Sequence, residues 1–184
     1  MNCINKLVSN LKSYNKKLLE ESLTFIDIRN DLNLIIKGIA FDNNHTCFYG
    51  YDDINDVITS LVLSSNTYGI FLENEYIAIA SFDYHYYKDL TRKEVCLCIK
   101  EKYRGLGIGY LCSLKIIDEC FKDPLTKCIH FTIKEDNITS KKMAENLGFK
   151  EYKGYKASAI FTDFDKNIIH NNQYLLKKED FLKI

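Results

Sequence analysis

The chain has 184 residues, 46% of them hydrophobic, which is enough for one domain with a substantial core. Its 25 basic and 25 acidic residues cancel to a formal net charge of zero, so the sequence lacks the electrostatic pattern of proteins that bind nucleic acids or anionic membranes. No apolar run reaches the length of a membrane span, the first residues lack a signal-peptide core, and the seven cysteines without paired spacing favour the reducing cytoplasm.

The first part of the chain predicts helices followed by a hairpin. Apolar residues recur at helical spacing over the first twenty positions, which predicts a helical extension at residues 1–22 ahead of a single domain at 23–184. The next predicted elements are, in chain order, a strand at 24–28, helices at roughly 30–40 and 53–64, and a hairpin with strands at 68–72 and 76–85.

A glycine-rich turn, Arg104-Gly105-Leu106-Gly107-Ile108-Gly109, lies between a predicted strand and a predicted helix. The apolar run Glu94–Ile99 before it is typical of a short strand, and apolar residues recur at helical spacing from Tyr110 to Phe121 after it. Such a turn aims unpaired backbone N–H groups and the positive end of the helix dipole at one point. It predicts a phosphate or pyrophosphate site, and an ordinary tight turn is the alternative.

A second predicted strand and a second predicted helix follow this turn and its helix. The alternating run Lys127–Ile133 predicts the strand. Asn137 is a natural N-cap for the helix, with Ser140 in its first turn, and Gly148 stands where a left-handed C-cap belongs. Candidate strands at 157–163 and 173–177 complete the predicted elements.

The two blocks together resemble the GNAT superfamily of N-acetyltransferases, which use acetyl-CoA. The matching residues are Arg104, Gly107 and Gly109 in the family's first block, and Asn137, Leu147, Gly148 and Phe149 in its second. The resemblance covers roughly residues 69–176 and looks greatest to the ribosomal-protein N-terminal acetyltransferase branch. It implies an α/β (α+β) fold: a single GNAT-like domain with a central mixed, mostly antiparallel twisted sheet of six to seven strands flanked by helices.

The resemblance also implies where acetyl-CoA binds. Its pantetheine is expected along the strand Leu97-Cys98-Ile99, paired with the backbone like an added strand. The N–H of Ile99 is expected to bond the thioester oxygen and stabilise the oxyanion. The pyrophosphate is expected on the amides of Leu106, Gly107, Ile108 and Gly109. Arg104 and Gly105 shape the turn, and the Arg104 side chain either contacts phosphate or is merely exposed.

Three further residues are candidates for catalysis or cofactor binding. Glu94 is a candidate general base, acting directly or through water, and a solvated carboxylate at a strand end is the alternative. Ser140 matches a residue that approaches the sulfur end of the cofactor in the branch named above, and helix capping is its alternative. Asn137 is an N-cap, a cofactor ligand or both. Ala144 occupies a position where many members carry the tyrosine that protonates the leaving thiolate.

These features predict an acetyl-CoA-dependent N-acetyltransferase that moves an acetyl group to a primary amine by direct attack through a tetrahedral intermediate. The acceptor is a small-molecule amine or a protein N-terminus. Two alternatives stay open: a catalytically weak or inert acyl-CoA-binding module, which Ala144 favours, and an unrelated nucleotide-binding α/β domain. By resemblance, the region 29–66 carries acceptor-binding helices.

Acidic residues and cysteines give weaker signals. The acids able to attract a cationic amine are Glu73, Asp83, Asp52 and Asp53, and their spacing does not select among them.

Cys96 and Cys98 share one face of a strand. Because no second Cys or His pair stands at ligand spacing, they predict buried thiols and no metal site.

Overall fold

In the computed structural model the described residues are 21–42, 47–48, 50–87, 90–152, 161–162 and 168–181. For residues 85–87, 90–95 and 161–162 the description covers the backbone alone. Nearly all of the predicted N-terminal extension, residues 1–22, lies outside the described part of the chain.

The predicted elements are observed within a few residues of their expected ends. The strands are β1 (Leu23–Asp27), β2 (Asn66–Leu72), β3 (Glu75–Tyr87), β4 (Leu90–Ile99), β5 (Cys128–Lys134), β6 (Lys150–Glu151), β7 (Phe161–Thr162), β8 (Ile168–Ile169) and β9 (Asn171–Lys177). The helices are α1 (Leu32–Ile39), α2 (Ile54–Leu63), α3 (Ile108–Lys122), α4 (Ile138–Asn146) and α5 (Lys178–Phe181), with a 3-10 turn at Glu101–Tyr103. The predicted strand at 157–163 lies largely outside the described residues, and β7 falls within it.

Within the described ranges, seven strands form one sheet in the order β1-β2-β3-β4-β5-β9-β6, and β7 pairs with β8 in a separate two-stranded sheet. The described pairings of the large sheet are antiparallel except for β4 with β5. This arrangement confirms the predicted mixed, mostly antiparallel sheet. It differs from the parallel doubly wound sheet of a dinucleotide-binding domain.

The sheet separates two cores, because successive residues of a strand point to opposite faces. On the α3–α4 face, Ile116 and Leu147 pack against residues such as Phe82. On the α1–α2 face, Ile35 and Val57 pack on the other side of the same strands. Side chains of β4 divide in the same way. Leu97 and Ile99 pack on the α3–α4 face, and Cys96 and Cys98 pack on the α1–α2 face, which confirms the predicted shared face of the two cysteines.

Side-chain caps fix the starts of α1 and α2 but not that of α3. The carboxylate of Asp31 accepts from the Leu34 N–H at 3.0 Å, and the carboxylate of Asp53 accepts from the Asn55 N–H at 2.7 Å. The N-cap of α3 is Gly107, which offers no side-chain hydrogen bond. The first amides of α3 therefore lack a side-chain acceptor, as the glycine-rich sequence predicts.

Candidate acetyl-CoA site

The strands β4 and β5 separate in the middle of the sheet. β4 pairs with β3 along its whole length, as far as Ile99 opposite Ala78. Its parallel pairing with β5 covers only Arg92–Glu94, opposite Cys128–His130. From Val95 onward, this edge of β4 has no strand partner within the described residues, so a groove opens between the two strands.

Alternate residues of β4 turn their backbone groups into this groove. The N–H of Lys100 donates to the carbonyl of Ile77 on the β3 side at 2.9 Å. In an antiparallel ladder, hydrogen-bonded pairs alternate with pairs that are not bonded. Cys98 therefore bonds its backbone to β3, whereas the N–H and C=O groups of Leu97 and Ile99 face away from β3. The Ile99 carbonyl accepts from Arg104 Nε at 2.8 Å and the Leu97 carbonyl accepts from the Cys47 thiol at 3.5 Å, so it is the two N–H groups that face the groove. Two of the three residues predicted to pair with pantetheine thus present backbone groups to the groove, and the third contributes to packing.

The glycine-rich turn follows β4 directly and leads into α3. Gly105 and Gly107 have φ angles of 72° and 79°, which L side chains rarely adopt. A Cβ added at either position would meet no described atom within 4 Å, so both glycines border open space. A Cβ at Gly109 would instead lie 3.2 Å from Ile99 Cδ1 and 3.3 Å from Met143 Sδ. The first two glycines keep the turn open to an anion, and the third lets α3 pack closely on β4.

The Arg104 side chain holds this turn against the rest of the protein. Its Nε donates to the Ile99 carbonyl at 2.8 Å, and an η nitrogen donates to the Phe41 carbonyl at 2.9 Å. The guanidinium is therefore bonded to backbone carbonyls on β4 and after α1. We propose that these bonds fix the turn, and a phosphate contact by Arg104 stays a prediction.

Glu75 anchors the 3-10 turn that precedes Arg104. Its carboxylate lies 2.9 Å from Lys100 Nζ and 2.5 Å from Lys102 Nζ, and it accepts from the Tyr103 hydroxyl at 2.8 Å. Partial burial raises the pKa of Glu75, but the hydrogen bonds from Lys102, Lys100 and Tyr103 outweigh it and lower that pKa to about 2. The start of β3 is thereby tied to the segment leading into the glycine-rich turn.

Replacing Glu75 with glutamine is expected to lower the free energy of unfolding by about 1–2 kcal/mol near pH 7. A pKa lowered from 4.5 to about 2 corresponds to about 3 kcal/mol, which partial solvent exposure reduces. Because the folded-state pKa is depressed, this stabilisation is complete above pH 4.5 and is lost as the pH falls toward 2. Urea unfolding at several pH values measures it, with Glu101→Gln in the same turn as the control. A difference between wild type and Glu75→Gln that stays constant down to pH 3 would contradict this assignment.

The first turn of α4 presents Asn137 and Ser140. The Asn137 side chain accepts from the Ser140 N–H at 3.1 Å, so Asn137 supplies the cap. No bond to the Ser140 hydroxyl is found within the described residues, which leaves that hydroxyl available to a ligand. Ala144 is fully buried among core residues and offers no group for proton transfer.

A cavity of about 520 Å³ passes through the sheet where β4 and β5 part. On the α3–α4 side its wall includes Leu97, Asn137, Ser140 and Met143. On the α1–α2 side the lining residues are Cys47, Phe48, Gly50, Tyr51, Ser60, Leu61, Ser64, Ser81, Asp83 and Cys96. The cavity thus extends from the α3–α4 face, where Met143 lies beside Gly109, to the α1–α2 face beside α2, which suits a reaction with two substrates.

A comparison with known protein families agrees with this geometry. The profile of the family described as GNAT acetyltransferase matches residues 65–158, just over half of the chain. The chain belongs to the GNAT acetyltransferase family. It is an N-acetyltransferase, and acetyl-CoA is its acetyl donor. No curated protein sequence matches the chain.

Solved structures of acetyltransferases share the fold of this GNAT enzyme. The ribosomal-protein-S5-alanine acetyltransferase from Vibrio fischeri is 15% identical with a TM-score of 0.69, covering 87% of this chain and 95% of that one. The spermidine/spermine N-acetyltransferase SpeG from Vibrio cholerae is 15% identical with a TM-score of 0.68, covering 89% and 98%. AAC(6′)-Ib with acetyl-CoA bound is 16% identical with a TM-score of 0.64, covering 88% and 97%. No described helix of the present chain has the length and hydropathy to cross a bilayer.

The backbone of Glu94 lies at the point where the two strands part. Its register partners are Asp83 on β3 and His130 on β5. The imidazole of His130 is hydrogen-bonded to the Gln173 side chain, which also accepts from the Thr132 hydroxyl at 3.2 Å. His130 was not among the candidate residues predicted from the sequence, although a histidine in an otherwise apolar strand can indicate a functional site. The GNAT enzyme therefore has polar groups on β3, β4 and β5 at one level of the sheet.

The structure brings Asp42, Cys47 and Cys98 together on the α1–α2 face, with their ligand atoms within 4.8 Å of one another. The Asp42 carboxylate accepts from the backbone N–H groups of Cys47 and Phe48 at 2.8 and 3.1 Å. The hydrogen bond with Cys47, together with burial, strongly raises the pKa of the Cys98 thiol. Metals bind the thiolate, so a thiol whose pKa is raised is a poor metal ligand. The contacts of this cluster favour a structural role, in which they hold the 47–48 segment on β4, over a metal site.

Proposed function

We propose that this GNAT enzyme transfers the acetyl group of acetyl-CoA to a primary amine, of a small molecule or a protein N-terminus, by direct attack through a tetrahedral intermediate. The observation that carries the proposal is the separation of β4 from β5 beyond Glu94, which exposes the backbone of β4 beside the N-terminus of α3. We propose that residues 23–184 form the catalytic domain, with 1–22 as an N-terminal extension.

The residues present fit the donor at two places. The uncapped amides at the start of α3, from Leu106 to Gly109, suit a pyrophosphate because they combine unpaired N–H groups with the helix dipole. The outward N–H groups of Leu97 and Ile99 suit the carbonyl oxygens of pantetheine and of its thioester, which can pair with a strand edge. Arg104 and Gly105 keep the turn in position between these two surfaces, and Asn137 borders the same cavity.

Each step of the reaction has a candidate group on the protein. The bound donor supplies an electrophilic thioester carbonyl. The Ile99 N–H, which faces the groove, is the candidate donor to the oxyanion, an interaction worth about 2.7–4 kcal/mol in comparable sites. As the amine nitrogen bonds to the carbonyl carbon, Glu94 or a water accepts its proton. As the carbon–sulfur bond breaks, the Ser140 hydroxyl donates a proton to sulfur and regains one from solvent.

The proposal is tested first by calorimetry with acetyl-CoA, CoA and NAD, and then by chromatographic detection of CoA release with a panel of primary amines. We expect micromolar binding of both CoA species, weak or no binding of NAD, and acceptor-dependent release of CoA with formation of the acetylamide. Absence of binding by either CoA species would overturn the proposal. Binding without acceptor-dependent CoA release would instead support a non-catalytic acyl-CoA-binding module.

A further inference from the structure

The α1–α2 side of the cavity contains a carboxylate that is held ready for a ligand. Asp83 Oδ1 accepts from the Ser65 hydroxyl at 2.8 Å and from the Tyr84 N–H at 2.7 Å. Within the described part of the chain, no hydrogen bond or ion pair involves the second oxygen, Oδ2. Asp83 is exposed and lines the cavity. A ligand that binds Oδ2 meets a side chain whose orientation is already fixed, which lowers the entropy cost of binding.

Asp83 is the acid among the cavity-lining residues whose side chains the structure describes, and Glu94, its partner across the ladder, is described by its backbone alone. The other three acids that the sequence offers are not among the lining residues: Asp52 and Asp53 directly precede α2, which Asp53 caps, and Glu73 lies in the turn between β2 and β3. The cationic lining residue, Lys134, lies on β5 four residues beyond His130, which is level with Glu94. The charges of the wall therefore attract a cation toward the Asp83 end and away from the Lys134 end.

The α1–α2 side of the cavity wall combines apolar side chains with hydroxyl groups. Its apolar residues include Phe48 and Leu61, which are buried, and the half-buried Cys96. The hydroxyl groups are those of Tyr51, Ser60, Ser64 and Ser81. The methylene groups of an amine chain remove apolar area from water against the first set, and the hydroxyls can accept from its N–H groups.

The register of the sheet gives the distance between the two ends. Asp83 is opposite Glu94, and Leu97 lies three residues further along β4, so in this arrangement Glu94 accepts the proton of an amine beside Leu97 through water. At the rise of an antiparallel strand, three residues span about 10 Å. This corresponds to an extended chain of about eight covalent bonds.

From these four observations we infer that the preferred acceptor is an aliphatic diamine or polyamine. One amine attacks the acetyl group beside Leu97 and Ile99, and a second ammonium group, about 10 Å away, binds Asp83. The inference rests on the proposed function and specifies its acceptor. Asp83 is in this assignment a specificity-determining residue, since it contacts the remote end of the acceptor.

The test compares diaminoheptane, which has an amine at each end, with heptylamine, which has the same chain and one amine. CoA release gives kcat/KM for both acceptors with the wild-type chain and with Asp83→Asn, which keeps an acceptor oxygen for Ser65. We expect the wild type to prefer the diamine at least tenfold, mainly through KM. Asp83→Asn is expected to bring the ratio of the two kcat/KM values close to one. The matched control, Asp56→Asn, removes an exposed carboxylate of α2 outside the cavity wall and is expected to keep the preference.

Four outcomes overturn the inference in different ways. Equal kcat/KM for the two acceptors in the wild type, or an unchanged preference in Asp83→Asn, removes the role of Asp83. Faster acetylation of a neutral tripeptide than of diaminoheptane shows that a protein N-terminus is the better acceptor. Acetyl-CoA binding without CoA release for every amine overturns the proposed function itself, and the inference with it.

Discussion

Substituting Gly107 with valine is expected to weaken acetyl-CoA binding at least about 100-fold, or roughly 3 kcal/mol. Two effects add at this position. The φ angle of 79° is a left-handed conformation that a β-branched residue adopts only with strain. The valine side chain also projects into the open space beside the first amides of α3, where we place the pyrophosphate. Calorimetric titration with acetyl-CoA measures the loss directly.

The matched control for Gly107 is Gly148, which follows α4 and has a φ angle of 85°. Gly148→Val introduces the same kind of backbone strain at the end of α4 opposite Asn137 and Ser140. Both variants are therefore expected to lose thermal stability, and Gly107→Val alone is expected to lose acetyl-CoA binding. Near-wild-type affinity in Gly107→Val, measured on protein that remains folded by circular dichroism, would remove the glycine-rich turn from the donor site.

Elements that depend on local sequence could be predicted from the chain alone. The turn before α3 was identifiable because three glycines directly precede an amphipathic pattern, and α4 because Asn137 caps it. The start of β4 was predicted at Glu94 but lies at Leu90. That part of the strand contains charged residues, and its pairing with β3 uses backbone hydrogen bonds that hydropathy does not report. Local propensity thus located the elements better than their ends.

Features that depend on distant residues could not be predicted in the same way. The Arg104 guanidinium bonds the carbonyl of Phe41, 63 residues earlier in the sequence, and no local pattern indicates that partner. Four acids were equivalent in the sequence, and the cavity wall selects Asp83 because of the pairing between β3 and β4. The pairing of β4 with β5 stops after Glu94, and this is likewise a property of the assembled sheet. The sequence indicated the cofactor through its motifs, whereas the acceptor pocket required the fold.

Replacing Glu94 with glutamine is expected to lower kcat about 100-fold at pH 7 for an alkylamine acceptor, the lower end of the usual range for general-base catalysis. An amine with a pKa near that of lysine, about 10.4, is neutral less than about one time in a thousand at this pH, so proton removal is a large part of the barrier. An α-amine with a pKa near 8 is already about 10% neutral, and its loss is expected to be less than about tenfold. Parallel assays with the two classes of acceptor measure the difference.

The pH dependence separates a general base from a structural role at this position. If Glu94 accepts the proton, the rate of Glu94→Gln with an alkylamine should rise about tenfold per pH unit until the pKa of the acceptor is approached, because hydroxide and neutral amine replace the missing base. Glu145→Gln, an exposed carboxylate on α4, serves as the control and should follow the wild-type profile. Equal losses for both acceptors at every pH would contradict proton transfer to Glu94 and assign it a structural role. Glu94 would then act by its position opposite Asp83 in the wall of the acceptor site. The fraction of neutral amine, set by the pKa of the acceptor, would control the rate.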